Sequence, residues 1–387
     1  MNLIEALGSM TGSLALTLVS FLGVLLVVVF VHEFGHFWVG RRLGVGVQAF
    51  SIGFGPELYG WTDRSGTRWK LCAIPLGGYV KFVGDASAAS TPDRAALDQF
   101  SEAERAISFP HQTVWKRAAI VAAGPIANFI LAIAVFAGLN YVNGRQVLDP
   151  RVDVVQAGSA AERAGFQPND LIVSIDGRQI ESFSDMQRIV SASAGEALTI
   201  VVQRGSETIT LQATPDLKEQ TTPFGKQRIG LLGLQASRNP EDIRRVDYTA
   251  IGALTSGFSE TWYVVDRTFD YIGKLITGRE STDQLSGPIR IAQVSGQVAS
   301  LGGLAGLVNL IAVLSVSIGL INLFPVPLLD GGHLLFYAIE AGRGRPLSER
   351  AQEIGFRIGF AIVVLLMLFA TWNDIVHLGA TFSSRGT

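Results

Sequence analysis

Long uncharged apolar stretches alternate with polar ones along this chain, and four of the apolar stretches predict membrane-spanning helices at residues 14–37, 118–142, 304–324 and 358–372. About 20 apolar residues at 1.5 Å rise cross the hydrocarbon core of a bilayer. The first stretch carries no charge from Gly8 to Val31. It also lacks the basic leader and small-residue cleavage site of a secretory signal, so it is expected to stay in the protein. The fourth is the shortest, so Arg357 at its start must snorkel or the bilayer must thin locally.

Between the first two spans the pattern changes to short strands with Gly-rich turns, at 47–52, 68–73 and 77–84. Unpaired backbone N–H and C=O groups in lipid are costly, so strands beside a bilayer must pair with something. A small sheet with a hairpin dipping towards the first span is expected. Residues 85–113 are polar and helix-prone, with a cap at Ser101-Glu102-Ala103-Glu104. Residues 151–215 read as strand, short helix, strand, helix, strand and final strand. Further on, Ile251, Leu254, Phe258, Trp262, Val265, Phe269, Ile272 and Ile276 recur at helical steps, predicting an amphipathic helix on the membrane surface. The domain expectation is 1–144 (two spans and the hairpin), 151–215 (inserted domain), 221–302 (connector with that helix) and 303–387 (the last two spans).

Composition agrees with a membrane protein: 48% of residues are hydrophobic and 17% charged, with a mean hydropathy of +0.34. A net charge of −2 offers no basic field for nucleic acid. Cys72 is the only cysteine, which excludes an internal disulfide and a thiolate metal cluster. Ten Lys and Arg residues lie between spans one and two, Arg41 and Arg42 among them, and Arg343, Arg345 and Arg350 lie between spans three and four. The positive-inside rule puts both loops in the cytoplasm and the segment between spans two and three on the outer side.

The first span ends in His32-Glu33-Phe34-Gly35-His36. On a helix the two histidines project from one face and can meet one Zn²⁺, with Glu33 beside them as general base. Ionisable groups at the end of a span are costly unless they have a function. A zinc site needs a third protein ligand. Asp330 is the candidate, in Asn322-Leu323-Phe324-Pro325-Val326-Pro327-Leu328-Leu329-Asp330-Gly331-Gly332-His333, where the two prolines stop the third span. His333 is the competing ligand. A capped helix start at Asp330 would account for the acid but not for the prolines.

Several phrases carry a family resemblance: the H-E-F-G-H motif, G-G-Y-V-K-F, A-G-P-I-A-N-F at 123–129, L-S-G-P-I at 285–289 and N-L-F-P-V-P-L-L-D-G-G. In 151–215, G-S-A-A-x-x-A-G followed by D-L-I-x-x-I-D-G resembles a permuted PDZ domain of bacterial proteases. Together they resemble the site-2 protease family of intramembrane zinc metalloproteases, in its bacterial regulator-of-sigma-E branch, from the first span to the last. The best-known enterobacterial members carry two tandem PDZ domains, whereas one is recognisable here.

The resemblance implies a polytopic α-helical membrane protein with a small membrane-associated β-sheet and an inserted PDZ-like α+β domain. It implies a zinc metalloendopeptidase with His32, His36 and Asp330 as ligands and Glu33 as base. Asn322 would contact substrate or oxyanion, and Gly77, Gly78, Tyr79, Val80, Lys81 and Phe82 would form an edge strand for the substrate. The implied partners are the lipid bilayer, single-span membrane proteins such as anti-sigma factors or remnant signal peptides, and a peptide or protein ligand of the PDZ-like domain. The implied place is the bacterial inner membrane, in regulated proteolysis of a stress response, with the PDZ-like domain outside the cytoplasm. A non-catalytic scaffold displaying that domain is the alternative, and the complete set of metal-site residues argues against it. A zinc transporter fits poorly, since no inverted repeat is present.

Overall fold

The computed structural model describes residues 3–85, 99–222, 225–236, 242–280, 282 and 285–385. The chain divides into two compact units, one of Met1–Gly138, Leu254–Phe269 and Ser286–Thr387, the other of Leu139–Ala253 and Asp270–Leu285.

The first unit opens with α1 (Leu3–Arg42), whose last turn carries Arg41 and Arg42, a favourable place for cations at the negative end of the helix dipole. Strands β1 (Val47–Thr62) and β2 (Arg68–Phe82) follow. Both are bent, so together they make four rows. Ile52 pairs with both Gly78 and Leu71, while Glu57 pairs with Cys72. The rows run 57–62, 68–72, 49–52 and 78–82, which leaves 78–82 on an edge with no strand on its far side among the described residues. Gly53 (φ 89°) and Gly77 (φ 133°) supply the left-handed backbone that the bends need. At the hairpin tip Asp63 accepts from the Ser65 and Thr67 amides at 2.8 and 3.0 Å. Slight burial works against its charge, but these amides, the Trp69 indole and Arg41 hold its carboxyl below the usual range.

Helix α2 (Glu102–Ile107) starts in the capping box expected at Ser101, with Ser101 and Glu104 bonding each other's backbone amides. Residues 86–98 of the same polar connector lie outside the described residues. Helix α3 (Val114–Asn143) contains Pro125. Phe37, Phe50, Val80, Phe82, Ile120 and Val121 share one buried cluster, so the sheet is held against α1 and α3 by apolar packing.

The second unit contains β3 (Arg145–Leu148), β4 (Val152–Val155), α4 (Ala160–Ala164), β5 (Leu171–Ile175), β6 (Arg178–Gln179), α5 (Phe183–Ala192), β7 (Leu198–Arg204) and β8 (Glu207–Ala213). This is the order of elements expected for 151–215, with the two-residue β6 added between β5 and α5 and β3 lying ahead of the segment. The strands β9 (Asp216–Thr222), β10 (Gly225–Leu231), β11 (Leu234–Ala236) and β12 (Ile243–Val246) complete it. A four-stranded sheet has the order β6-β5-β7-β8, and the pairs β4–β11, β9–β10 and β3–β12 lie outside it. The core centres on Val152, Ile172, Ile175, Ile200 and Val202, but Leu232 is buried in it, and Leu234 and Ala236 pack against it. The compact unit is therefore larger than the 151–215 segment expected, because β4 finds its partner in β11 beyond that boundary.

Helix α6 (Ala250–Ile276) forms as expected, with most of its large apolar stripe exposed. Leu254, Phe258, Trp262 and Phe269 are exposed, while Thr261 is buried and a Cβ at Gly257 would lie 2.5 Å from the Ile133 carbonyl. Small residues let helix backbones approach closely, so Gly257 and Thr261 turn inward beside Val264 and Val265, and most of the bulky stripe stays exposed.

Helix α7 (Pro288–Asn322) bends at Gly303 (φ 54°), where the third span was expected to begin. Its own residues provide no side-chain cap; Asp374 of α9 (Glu349–Arg385) accepts from the Gly287 and Arg290 amides instead, at 3.0 Å each. Between them stands α8 (Asp330–Arg343). Among the described residues, four helical segments, Leu14–Arg42, Val114–Asn143, Pro288–Asn322 and Glu349–Val376, are long and apolar enough to span a membrane. Leu365, Leu368 and Trp372 point outwards on the last of these, as lipid-facing residues would. Arg357 pairs with Glu353 on the exposed face of α9.

Candidate metal centre

Helical spacing on α1 stacks His32 and His36 on one face, and the fold buries both. Their Nε2 atoms are 3.3 Å apart. The end of α7 delivers the third group. Pro325 and Pro327 prevent the helix from continuing, Leu328 is forced to a φ of 109°, and α8 then begins with Asp330 in its first turn after Leu329. Such a backbone costs about 1–3 kcal/mol for a non-glycine residue and persists only where its surroundings impose it. Gly331 and Gly332 are not a turn but helical residues: a Cβ on them would lie 2.2 Å from the Leu323 carbonyl and 2.4 Å from that of Val326. Only glycine lets α8 start so close to the preceding loop.

Asp330 Oδ2 consequently lies 3.1 Å from His32 Nε2 and 3.5 Å from His36 Nε2. Four ligands about 2.0–2.1 Å from a tetrahedral zinc lie about 3.3–3.4 Å from one another, so the three atoms already form one face of such a tetrahedron. Asp330 Oδ2 is buried and has no hydrogen-bond partner among the described residues. His36 Nδ1 donates to the Ile120 carbonyl at 2.9 Å, which leaves Nε2 with its lone pair directed at the cluster. The donor set and its spacing fit zinc.

A cavity opens on this cluster. Of the sequence-derived substrate residues, Gly78, Tyr79, Val80, Phe82 and Asn322 line it with His32, Glu33, His36 and Asp330. Gly77 and Lys81 are not among the lining residues: Gly77 turns the chain beside Phe54, and Lys81 pairs with Ala49. Glu33 is half-buried, and a Cβ at Gly78 would lie 2.8 Å from its Cγ. The sheet edge therefore passes directly over the carboxylate. His333 lines the cavity too, but its ring packs on Phe356 and Tyr337, and it is outside the group of converging ligand atoms.

Sequence reasoning assigned no role to α3, although α3 shapes the site. A Cβ at Gly124 would lie 2.3 Å from His36 Nε2 and 3.0 Å from His32 Cε1, and one at Gly35 would meet the Ala123 carbonyl at 2.3 Å. The two glycines allow α1 and α3 into contact at His32 and His36. The available signal was the Gly-Pro pair and Asn128, the one polar side chain in the apolar stretch from Ala118 to Leu139.

The family model for peptidase family M50 matches residues 20–366. Among curated proteins, a candidate zinc metalloprotease of Agrobacterium fabrum is 52% identical over 369 residues, covering 95% of this chain and 98% of that protein. One from Rhizobium meliloti is 52% identical over 364 residues, covering 94% and 97%. The metalloprotease MmpA of Caulobacter vibrioides is 42% identical over 380 residues, covering 92% and 95%. Match and geometry agree on the same chemistry: the chain belongs to peptidase family M50 and is a zinc metalloprotease with several membrane-spanning helices.

Proposed function

We propose that this protein is an intramembrane endopeptidase in which His32, His36 and Asp330 hold the zinc and Glu33 is the general base. The observation that carries the proposal is the convergence on one cavity of these four residues and a strand edge unpaired among the described residues, just after the uncharged stretch Gly8–Val31 of α1. Zinc bound there supplies a Lewis acid for the attacking water and for the scissile carbonyl. Glu33 takes a proton from that water as its oxygen bonds to the carbonyl carbon. The same carboxyl then returns the proton to the amide nitrogen as the C–N bond breaks.

A transmembrane helix hides its carbonyls in i→i−4 bonds, so the substrate must unwind before attack. The 78–82 row supports an extended substrate by strand addition. Phe82 donates its amide to Asp85 Oδ2 rather than to β1, and alternation then directs the Val80 and Gly78 amides to the same outer edge. Asn322 lines the same cavity, which supports a contact with substrate or oxyanion.

The substrates we propose are single-span membrane proteins already trimmed outside the membrane, anti-sigma factors or remnant signal peptides, cut in regulated intramembrane proteolysis during a stress response. The second unit, read as a PDZ-like domain, selects them from the outer side of the bacterial inner membrane by binding a peptide or protein end. The sidedness rests on the arginines flanking the first and third loops. The test is Glu33→Gln in purified protein with a single-span substrate. Cleavage should fall by about 10²–10⁴-fold with zinc still stoichiometric, because the amide keeps the shape but accepts no proton. Activity within tenfold of the parent would remove Glu33 as the base.

A further inference from the structure

We propose that Asn128 is the positioning residue for His32, its side-chain oxygen accepting the Nδ1 proton so that Nε2 is left to bind zinc. The inference rests on the ligand assignment above. Ile120, Gly124 and Asn128 are spaced by four residues and lie on one stripe of α3. The stripe runs antiparallel to His36 and His32. Ile120 holds His36 through its carbonyl, Gly124 leaves room for both rings, and Asn128 faces His32. Asn128 is fully buried, its own carbonyl taking a hydrogen bond from Ser315 at 2.9 Å.

The side-chain atoms supply the argument. Asn128 Nδ2 lies 3.4 Å from His32 Nδ1, while its Oδ1 is buried with no partner among the described residues. A neutral imidazole that presents the Nε2 lone pair must carry its proton on Nδ1. A donor then faces a donor. A half-turn of the amide exchanges its isosteric ends and converts that clash into an Nδ1–H···Oδ1 hydrogen bond. One end of the amide is unpaired in either orientation, so the turn gains a bond and loses none. Both zinc-binding imidazoles are then oriented by acceptors from the same helix, one a main-chain carbonyl and the other a side-chain amide.

The test is zinc affinity by chelator competition on the purified full chain, independent of proteolysis. Asn128→Leu, close in volume but without an acceptor, should lose about 10–100-fold in affinity, while Asn128→Asp, which restores an acceptor, should remain within about threefold of the parent. Parent-like affinity in Asn128→Leu, or equal losses in both variants, would overturn the proposal. In the zinc-loaded parent labelled with ¹⁵N-histidine, both coordinating imidazoles should be protonated at Nδ1. A His32 bound through Nδ1 would overturn it without any variant having to fold. His32→Ala separates the two levels: loss of zinc there with retention in Asn128→Leu defeats this inference alone, whereas retention in His32→Ala defeats the ligand assignment beneath it.

Discussion

At Gly124 there is no room for even a methyl group, since a Cβ would stand 2.3 Å from a ligand nitrogen. Overpacking of this kind costs about 1–3 kcal/mol, or roughly ten- to a hundredfold in an equilibrium constant. Gly124→Ala should therefore lower zinc affinity by about that factor while the helices still form, as chelator competition and circular dichroism together would show. Asp330 makes a contrasting case with its neighbour. Asp330→Ala should deplete zinc and activity together, because two imidazoles alone lack the third anchor. His333→Ala should keep stoichiometric zinc, since that ring packs on Phe356 and Tyr337. The opposite ranking by metal analysis would exchange their roles. His32, Glu33 and His36 were legible from spacing alone. Gly124 was not, because a glycine in a span has no signature until the atoms that crowd it are known.

Among the elements, the bent sheet allows a position-specific test. Val80→Pro removes an amide from the open edge, whereas Tyr79→Pro removes one from the ladder with β1. The first should raise KM for a single-span substrate, beside the melting temperature lost with the packing of the buried Val80. The second should lower melting temperature without raising KM. Equal effects of the two on both readouts would exclude strand addition at this edge. Sequence placed the strands at 47–52, 68–73 and 77–84, but not their order. Rows 49–52 and 78–82 are neighbours because two long strands fold back at glycines, a pairing between distant residues that local patterning does not encode. For α6 the periodicity was correct, and the stripe it marks is mostly exposed; that Gly257 and Thr261 turn inward depends on the close approach of α3 and is not written in the stripe.

On the scale of the whole molecule, the second unit is closed by the β3–β12 ladder, with Leu148 opposite Ile243 at its inner end. Excising 150–241 and joining Asp149 to Asp242, whose backbones already bond at 3.0 Å, gives the ladder a two-residue turn and removes the core whole. A cut at 151–215 would leave Leu232, Leu234 and Ala236 without the residues they pack on. The shortened protein should retain zinc and Glu33-dependent cleavage of pre-trimmed substrates, and should lose discrimination against untrimmed ones. A zinc-loaded product inactive on every substrate would assign this unit a part in the chemistry itself.

Sequence by itself determined the four spans, the polar insert between the second and third, and which residues were candidates to converge on one site. These follow from hydropathy, helical spacing and side-chain chemistry, which are properties of residues near one another in the chain. Only the tertiary structure decided that Asp330 meets His32 and His36, that the 78–82 row passes over Glu33, and that α3 reaches both imidazoles. Each of these depends on how closely separate segments approach, and that distance is set jointly by glycines, prolines and packed side chains far apart in sequence.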